Sequence, residues 1–301
     1  MSDGTGRVTV HDLSKRYGPV LAVDRLTFTI EPGRVTGFLG PNGSGKTSTL
    51  RMLLGLVRPT SGEALVNGRP YARLVNPARV VGAVLDAQGV HPGRTARRHL
   101  LACAAAVPTS DGVVEHVLRV VDLAGVADRA VGGFSLGMRQ RLALAVALLG
   151  DPQVLILDEP ANGLDPEGIA WLRGFLRDFA AHGRTVLVSS HLLTEVEQTV
   201  DQLVVISRGR CVYQGGLAGL RGRGTARVLV RCADPGRLAD ALAVEGIVEI
   251  DTLGDGRLMI AGAGPVRVGD LALAAGVAIY GLAEERIDLE RIFLELTGAP
   301  R

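Results

Sequence analysis

The chain has 301 residues, 47% of them hydrophobic, with 33 basic and 31 acidic side chains and a formal net charge of +2. This supports one large core or a large plus a small one, and the near-balance of charge argues against nucleic-acid binding driven by overall charge. The strongest apolar run, Leu142 to Leu149, is about half the ~20 residues of a membrane span.

The start of the chain, around Asp3, lacks a signal-peptide core, so a cytosolic chain is expected. Cys103, Cys211 and Cys232 are far apart and read as free thiols. Residues 7–12 and 25–30 alternate apolar and polar positions and predict strands. Val35 to Leu39 is a short apolar run suited to a buried strand, and after it comes Gly40-Pro41-Asn42-Gly43-Ser44-Gly45-Lys46-Thr47. This fits the phosphate-loop pattern, and Met52, Leu53 and Leu56 beyond it recur at helical spacing, the context that turns the pattern into a site. Glycines let backbone N–H groups close around phosphate oxygens, and the helix start adds positive dipole. Lys46 supplies a compact cation for the β/γ-phosphates and the Thr47 hydroxyl a ligand for Mg²⁺. Lysine occurs only at positions 15 and 46; every other strong base is Arg, whose fork has different bulk and geometry.

Glu63 to Val66 predicts a strand, and so does the apolar stretch 79–85. From about 91 to 150 the character changes to helices, at 95–106, 111–123 and 138–149, an insert between strands of an α/β core. Phe134-Ser135-Leu136-Gly137-Met138-Arg139-Gln140 precedes the last of these. A serine and a glycine at a helix start form a weak anion site. Val154 to Leu157 is a continuous apolar run expected of a parallel central strand, and it ends on Asp158-Glu159. Two carboxylates there are costly without a cation. Nucleotide-bound Mg²⁺ supplies one: Asp158 holds the metal, and Glu159 polarises an attacking water as general base. A helix at 168–181, strands at 185–189 and 203–206, a short helix at 192–199 and a strand at 211–213 follow. Gly215 to Gly224 reads as a linker. The remainder runs strand 225–231, helix 234–244, strands 247–252 and 257–261, helix 265–275 and strand 277–283. This βαββαβ order suggests a ferredoxin-like packing or interaction module without a catalytic signature. Leu289, Ile292, Phe293 and Leu296 form a helical stripe ending at Gly298.

With these motifs in order, residues 7 to about 216 resemble an ATPase subunit of an ABC transporter. Gly40–Thr47 resembles Walker A, Phe134–Met138 the signature loop, Val154–Glu159 Walker B with its catalytic glutamate, and Asn162–Asp165 the D-loop. His191, after Ser189-Ser190, resembles the switch histidine, and Tyr17 the aromatic that stacks on adenine. The fold implied is α/β, a P-loop NTPase core (residues 1–218) with a helical insert, followed by a small C-terminal α+β domain over 225–301. The resemblance implies that ATP is held by Tyr17, Asn42, Gly43, Ser44, Gly45, Lys46, Thr47 and Ser48. Ser135, Gly137 and Asp165 contribute across a head-to-tail pair formed with a second copy or a homologous ATPase subunit. Lys46, Glu159 and His191 then act in catalysis, with Thr47 and Asp158 on Mg²⁺. At the Q-loop position Asp86 stands where a glutamine is usual. It serves there as a metal ligand, or Gln88 does the work if the loop shifts. The signature, with Phe134, Leu136 and Met138 at three altered positions, resembles that of drug and antibiotic exporters with separately encoded permeases. This implies a subunit bound to an integral-membrane permease on the inner face of the membrane, with no nucleic acid expected. Arg94, Arg97 and Arg98 are candidates to meet the permease or anionic lipid. The rival is a soluble ABC ATPase with a regulatory role outside transport.

Overall fold

The computed structural model describes residues 6–85, 89–193, 197–221, 227–285 and 289–298. The chain divides into two compact units, Met1–Leu217 together with Leu296–Arg301, and Ala218–Glu295. In the first, β1 (Val8–Tyr17), β2 (Val20–Ile30) and β4 (Ser61–Val66) form an antiparallel sheet in the order β2-β1-β4. The second sheet of this unit has six strands, in the order β5-β6-β7-β3-β8-β9. They are β3 (Val35–Leu39), β5 (Val81–Val84), β6 (Val154–Asp158), β7 (Thr185–Ser190), β8 (Gln202–Ser207) and β9 (Arg210–Gly216). All neighbours are parallel except β8 and β9. β3 and β7 are buried along their whole length, Thr36, Thr185, Ser189 and Ser190 included, as expected of central strands of a parallel sheet covered on both faces. Val8, Val10, Leu26 and Phe28 from the small sheet share one core with Phe38, Ile156, Leu187 and Val204 from the large one.

The helices of this unit are α1 (Lys46–Leu53), α2 (Pro77–Val80), α3 (Ala96–Ala104), α4 (Val113–Val120), α5 (Leu136–Leu148), α6 (Pro166–Ala181) and the start of α7 (Leu217–Arg221). Helices α3, α4 and α5 form the insert. Arg97 of α3 pairs there with Glu115 and with Asp128, the latter at 3.0 Å.

Three departures from the sequence reading have identifiable causes. β1 runs on past residue 12 through a register shift, with Asp12 at φ 45°, and a bulge of this kind breaks the apolar alternation. The stretch 79–85 is not one strand: Pro77, at the first helical position after Asn76, starts α2, a position for which proline is pre-organised. The segment read as a linker contains α7, whose Leu220 is fully buried. The helix read at 192–199 falls partly outside the described residues, as do Asp86 and Gln88.

In the second unit, β10 (Arg227–Cys232), β11 (Ile250–Thr252), β12 (Leu258–Ala261) and β13 (Ile279–Glu285) make an antiparallel sheet ordered β11-β12-β10-β13. Helices α8 (Pro235–Val244) and α9 (Pro265–Ala274) supply Leu238, Leu242, Val268 and Ala272 to a core with Val228, Val230, Leu258 and Ile260. The Asp234 side chain accepts from the Arg237 N–H at 3.0 Å and caps α8. A last helix, α10 (Leu289–Thr297), ends at Gly298 with φ 62°. Among the described residues no helix is long and apolar enough to cross a membrane.

Candidate functional site

The glycine loop joins the C-terminal end of β3 to α1, in the middle of the six-stranded sheet. In open parallel sheets this edge is where ligands bind. Two of its glycines are forced by crowding. A Cβ on Gly40 would meet the Ile206 carbonyl oxygen at 2.4 Å, and one on Gly45, at φ 105°, would meet the Ala22 carbonyl oxygen at 2.6 Å. Lys46 at the head of α1 is 7% exposed, and its Nζ donates to the carbonyls of Gly40 at 2.7 Å and Pro41 at 3.4 Å. Glu159 Oε1 stands 3.6 Å from the same ammonium. Burial pushes the Lys46 pKa below the ordinary lysine value, against the opposing pull of Glu159 and Asp158.

The carboxylates come from the end of β6, which lies beside β7, with Asp158 in register with Ser189. Asp158 Oδ2 accepts from the Thr47 hydroxyl at 2.8 Å, and its Oδ1 accepts from the Ser189 hydroxyl. Ser189 Oγ also accepts from the Glu159 N–H at 3.0 Å. Glu159 sits at φ 49°, a left-handed conformation uncommon for a residue other than glycine and typical of strained functional positions. Its Oε2 lies 2.9 Å from His191 Nδ1, just beyond β7. Strand ends β3, β6 and β7 thus bring Lys46, Thr47, Asp158, Glu159 and His191 together. Ser189 is the participant whose role sequence reasoning missed. The available signal was a serine at the end of an apolar strand running parallel to the one that ends in Asp158.

The sequence profile described as ABC transporter matches residues 23–162. The bacitracin transport ATP-binding protein of Bacillus licheniformis is 41% identical over 206 residues, 67% of either chain. The Nod factor export ATP-binding protein I of Burkholderia lata is 40% identical over 215 residues, 69% of this chain and 70% of that one. This chain belongs to the ATP-binding subunits of ABC transporters. A solved ATP-binding subunit of an ABC transporter superposes with a TM-score of 0.65 at 29% identity, over 72% of this chain and 92% of that one. As an ABC ATPase with a P-loop NTPase core, the chain binds nucleotide and hydrolyses ATP. Residues 226–290 match a separate domain of unknown function.

The other expected site residues of this ABC ATPase lie on further elements. Asn42 and Gly43 are exposed at the loop tip, Ser44 is buried beneath it, and Ser48 is half-buried on α1. Tyr17, 44% exposed at the end of β1, carries the Lys15 ammonium 5.0 Å from its ring centroid, a cation–π contact. Ser135 caps α5 by accepting from the Met138 N–H at 3.2 Å, and Asp165 caps α6 by accepting from the Gly168 N–H at 2.8 Å. Within one chain no hydrogen bond or ion pair among the described residues joins Tyr17, Ser135, Gly137 or Asp165 to Lys46, Thr47 or Asp158. The signature and D-loops instead touch each other. A Cβ on Gly163 would meet Leu136 Cδ2 at 2.1 Å, and one on Gly137 would meet Leu164 Cδ2 at 3.4 Å.

Proposed function

We propose that this subunit powers export of an antibiotic-like or drug-like compound through a separate integral-membrane permease. On this reading the chain sits on the cytoplasmic face of the membrane and closes on ATP as a head-to-tail pair with a second ATPase subunit. The Nod factor relative is an export protein, which supports the export direction, and the bacitracin relative serves transport of an antibiotic. The observation that carries the chemical part is the convergence of Lys46, Thr47, Asp158, Glu159 and His191 at three adjacent strand ends.

Thr47 and Asp158 fit a magnesium ion. Their 2.8 Å contact puts a hydroxyl and a carboxylate oxygen side by side, and Mg²⁺ commonly takes one or two protein oxygens and completes its shell with phosphate and water. Bound there, the ion would neutralise charge on the phosphates. The chain's own residues do the rest. Lys46 offers its ammonium to the β/γ-phosphates, and the N–H groups of the loop cradle them. Glu159 accepts the proton of the attacking water, and His191 orients that carboxylate through its bond to Oε2. Tyr17 stacks on the adenine, with Asn42, Gly43, Ser44, Gly45 and Ser48 around the phosphates. Ser135 and Gly137, with Asp165, complete the nucleotide site of the opposite subunit. By its sequence position Asp86 would be a further ligand of that metal, and Asp86→Ala should then lower ATPase activity in the permease complex. The C-terminal unit serves as an interaction module.

Glu159→Gln tests the reading. Phosphate release should fall about 10²- to 10⁴-fold, the usual contribution of a general base, with ATP affinity retained. With ATP and Mg²⁺ the variant should sediment at twice the protomer mass. A variant that turns over at the parental rate removes Glu159 from catalysis, and one that stays monomeric with bound ATP removes the paired arrangement.

A further inference from the structure

The last turn of the chain reaches toward the phosphate loop through one tight turn between β8 and β9. The Ser207 hydroxyl, buried at the end of β8, donates to the Thr297 carbonyl at 2.8 Å. Next to it, an Arg208 Nη2 lies 3.8 Å from where a Cβ of Gly298 would stand. The guanidinium is therefore near the C-terminal end of α10, where the helix dipole favours a cation. Arg208 and Gly209 both have positive φ, 49° and 78°. A side chain at Gly209 would be strained by the positive φ and crowded, its Cβ meeting the Ala22 carbonyl oxygen and the Asp24 amide nitrogen at 3.0 Å each.

From that glycine one bond runs into the phosphate loop and a second ties the turn to β2. The Gly209 N–H donates to the Ser44 carbonyl at 3.0 Å, and the Gly209 carbonyl accepts from the Asp24 N–H at 2.9 Å. Arg210 clamps the same corner onto Asp24 at 2.6 Å. Ser44 is held at its other end too, its N–H donating to the Pro41 carbonyl at 3.1 Å. A trans peptide is planar, with its C=O and the following N–H pointing in opposite directions. Fixing the Ser44 carbonyl against Gly209 therefore fixes the Gly45 N–H on the opposite side. Gly45 is the N-cap of α1, so that donor belongs to the unpaired set from which a helix start builds a phosphate site.

We propose that the C-terminal tip, residues 296–298, positions the phosphate loop for nucleotide, with Ser207 and Gly209 as the relay. Ser207 is a positioning residue: it touches neither phosphate nor metal and acts through the turn. Because α10 begins at Leu289 in the second unit and its last residues belong to the first, any ligand that shifts this helix alters nucleotide affinity. By reciprocity, nucleotide alters the exchange of the tip.

The test uses the full chain and the fluorescent analogue trinitrophenyl-ATP. Ser207→Ala and truncation after Glu295 should each weaken its binding about three- to tenfold, the range of one lost hydrogen bond. The two changes combined should cost no more than the larger alone, since they cut the same link. Ser207→Thr, which keeps the hydroxyl, should bind as the parent does. In the parent, ATP should also slow amide exchange at 296–298, and in Lys46→Ala it should not. Unchanged affinity in both single variants overturns the proposal. So do additive losses, or a loss in Ser207→Thr equal to that in Ser207→Ala.

Discussion

Lys46 is a buried cation with a carboxylate 3.6 Å away, and its titration has a definite sign. The folded protein holds this proton less tightly than an unfolded chain, because burial lowers the pKa. Its cost to stability is therefore fully present below the folded pKa. It disappears as pH rises through that value toward the ordinary lysine pKa. Urea denaturation of the parent and of Lys46→Met should thus show the stability difference moving in the parent's favour as pH rises toward the lysine reference value of about 10.4. A flat difference would mean that the ammonium is solvated. Ser189 gives a second prediction at this scale. Its hydroxyl is shared by Asp158 and the Glu159 amide, so Ser189→Ala leaves a half-buried N–H unpaired at a strained residue. The expected loss is about 1–3 kcal/mol by denaturant titration, with slower turnover. These residues differ in how they could be read. The phosphate loop and Asp158-Glu159 are contiguous words in the sequence. The Ser189 contact exists only because β6 and β7 lie side by side, a pairing that no local pattern encodes.

At the scale of elements, the interlock of the signature and D-loops is the telling contact. Gly163 has φ 73° and faces Leu136 so closely that a methyl group there would overlap it. Gly163→Ala should therefore lower both ATPase activity and melting temperature. Adding Leu136→Ala should recover part of the loss, the remainder being the backbone strain of alanine at positive φ. No recovery would show that Leu136 is not what the glycine accommodates. The same two helices are joined further along. Arg141 of α5 lies 4.4 Å over the Trp171 ring of α6 and pairs with Asp122 at 2.9 Å. The helix start at Ser135 was visible in the sequence because a short polar side chain before an apolar run commonly caps a helix, whereas the cap at Asp165 was not, that helix being read only from residue 168. Element ends were less legible where the cause was tertiary. The bulge in β1 comes from pairing with two partners, and α7 is anchored by the burial of a single leucine.

For the whole molecule, the decisive expectation is assembly. If the subunit serves an exporter, co-expression with its permease should recover both proteins in one detergent complex whose ATPase rate exceeds that of the free subunit. A free subunit that equals the complex would favour a role outside transport. The fold class was legible at this scale because ordered motifs separated by helical and apolar runs admit few topologies. What no motif announced was the return of residues 296–298 to the first unit. One further consequence follows from the sheet order. Strand β3, which carries the nucleotide loop, takes its two neighbours from residues 185–190 and 202–207. During synthesis, its seat is incomplete until the ribosome has passed both segments, so pairings this distant make late steps. Nascent chains arrested short of β7 should be unable to adhere to immobilised ATP, and nucleotide cannot chaperone the first half of this polypeptide as it emerges.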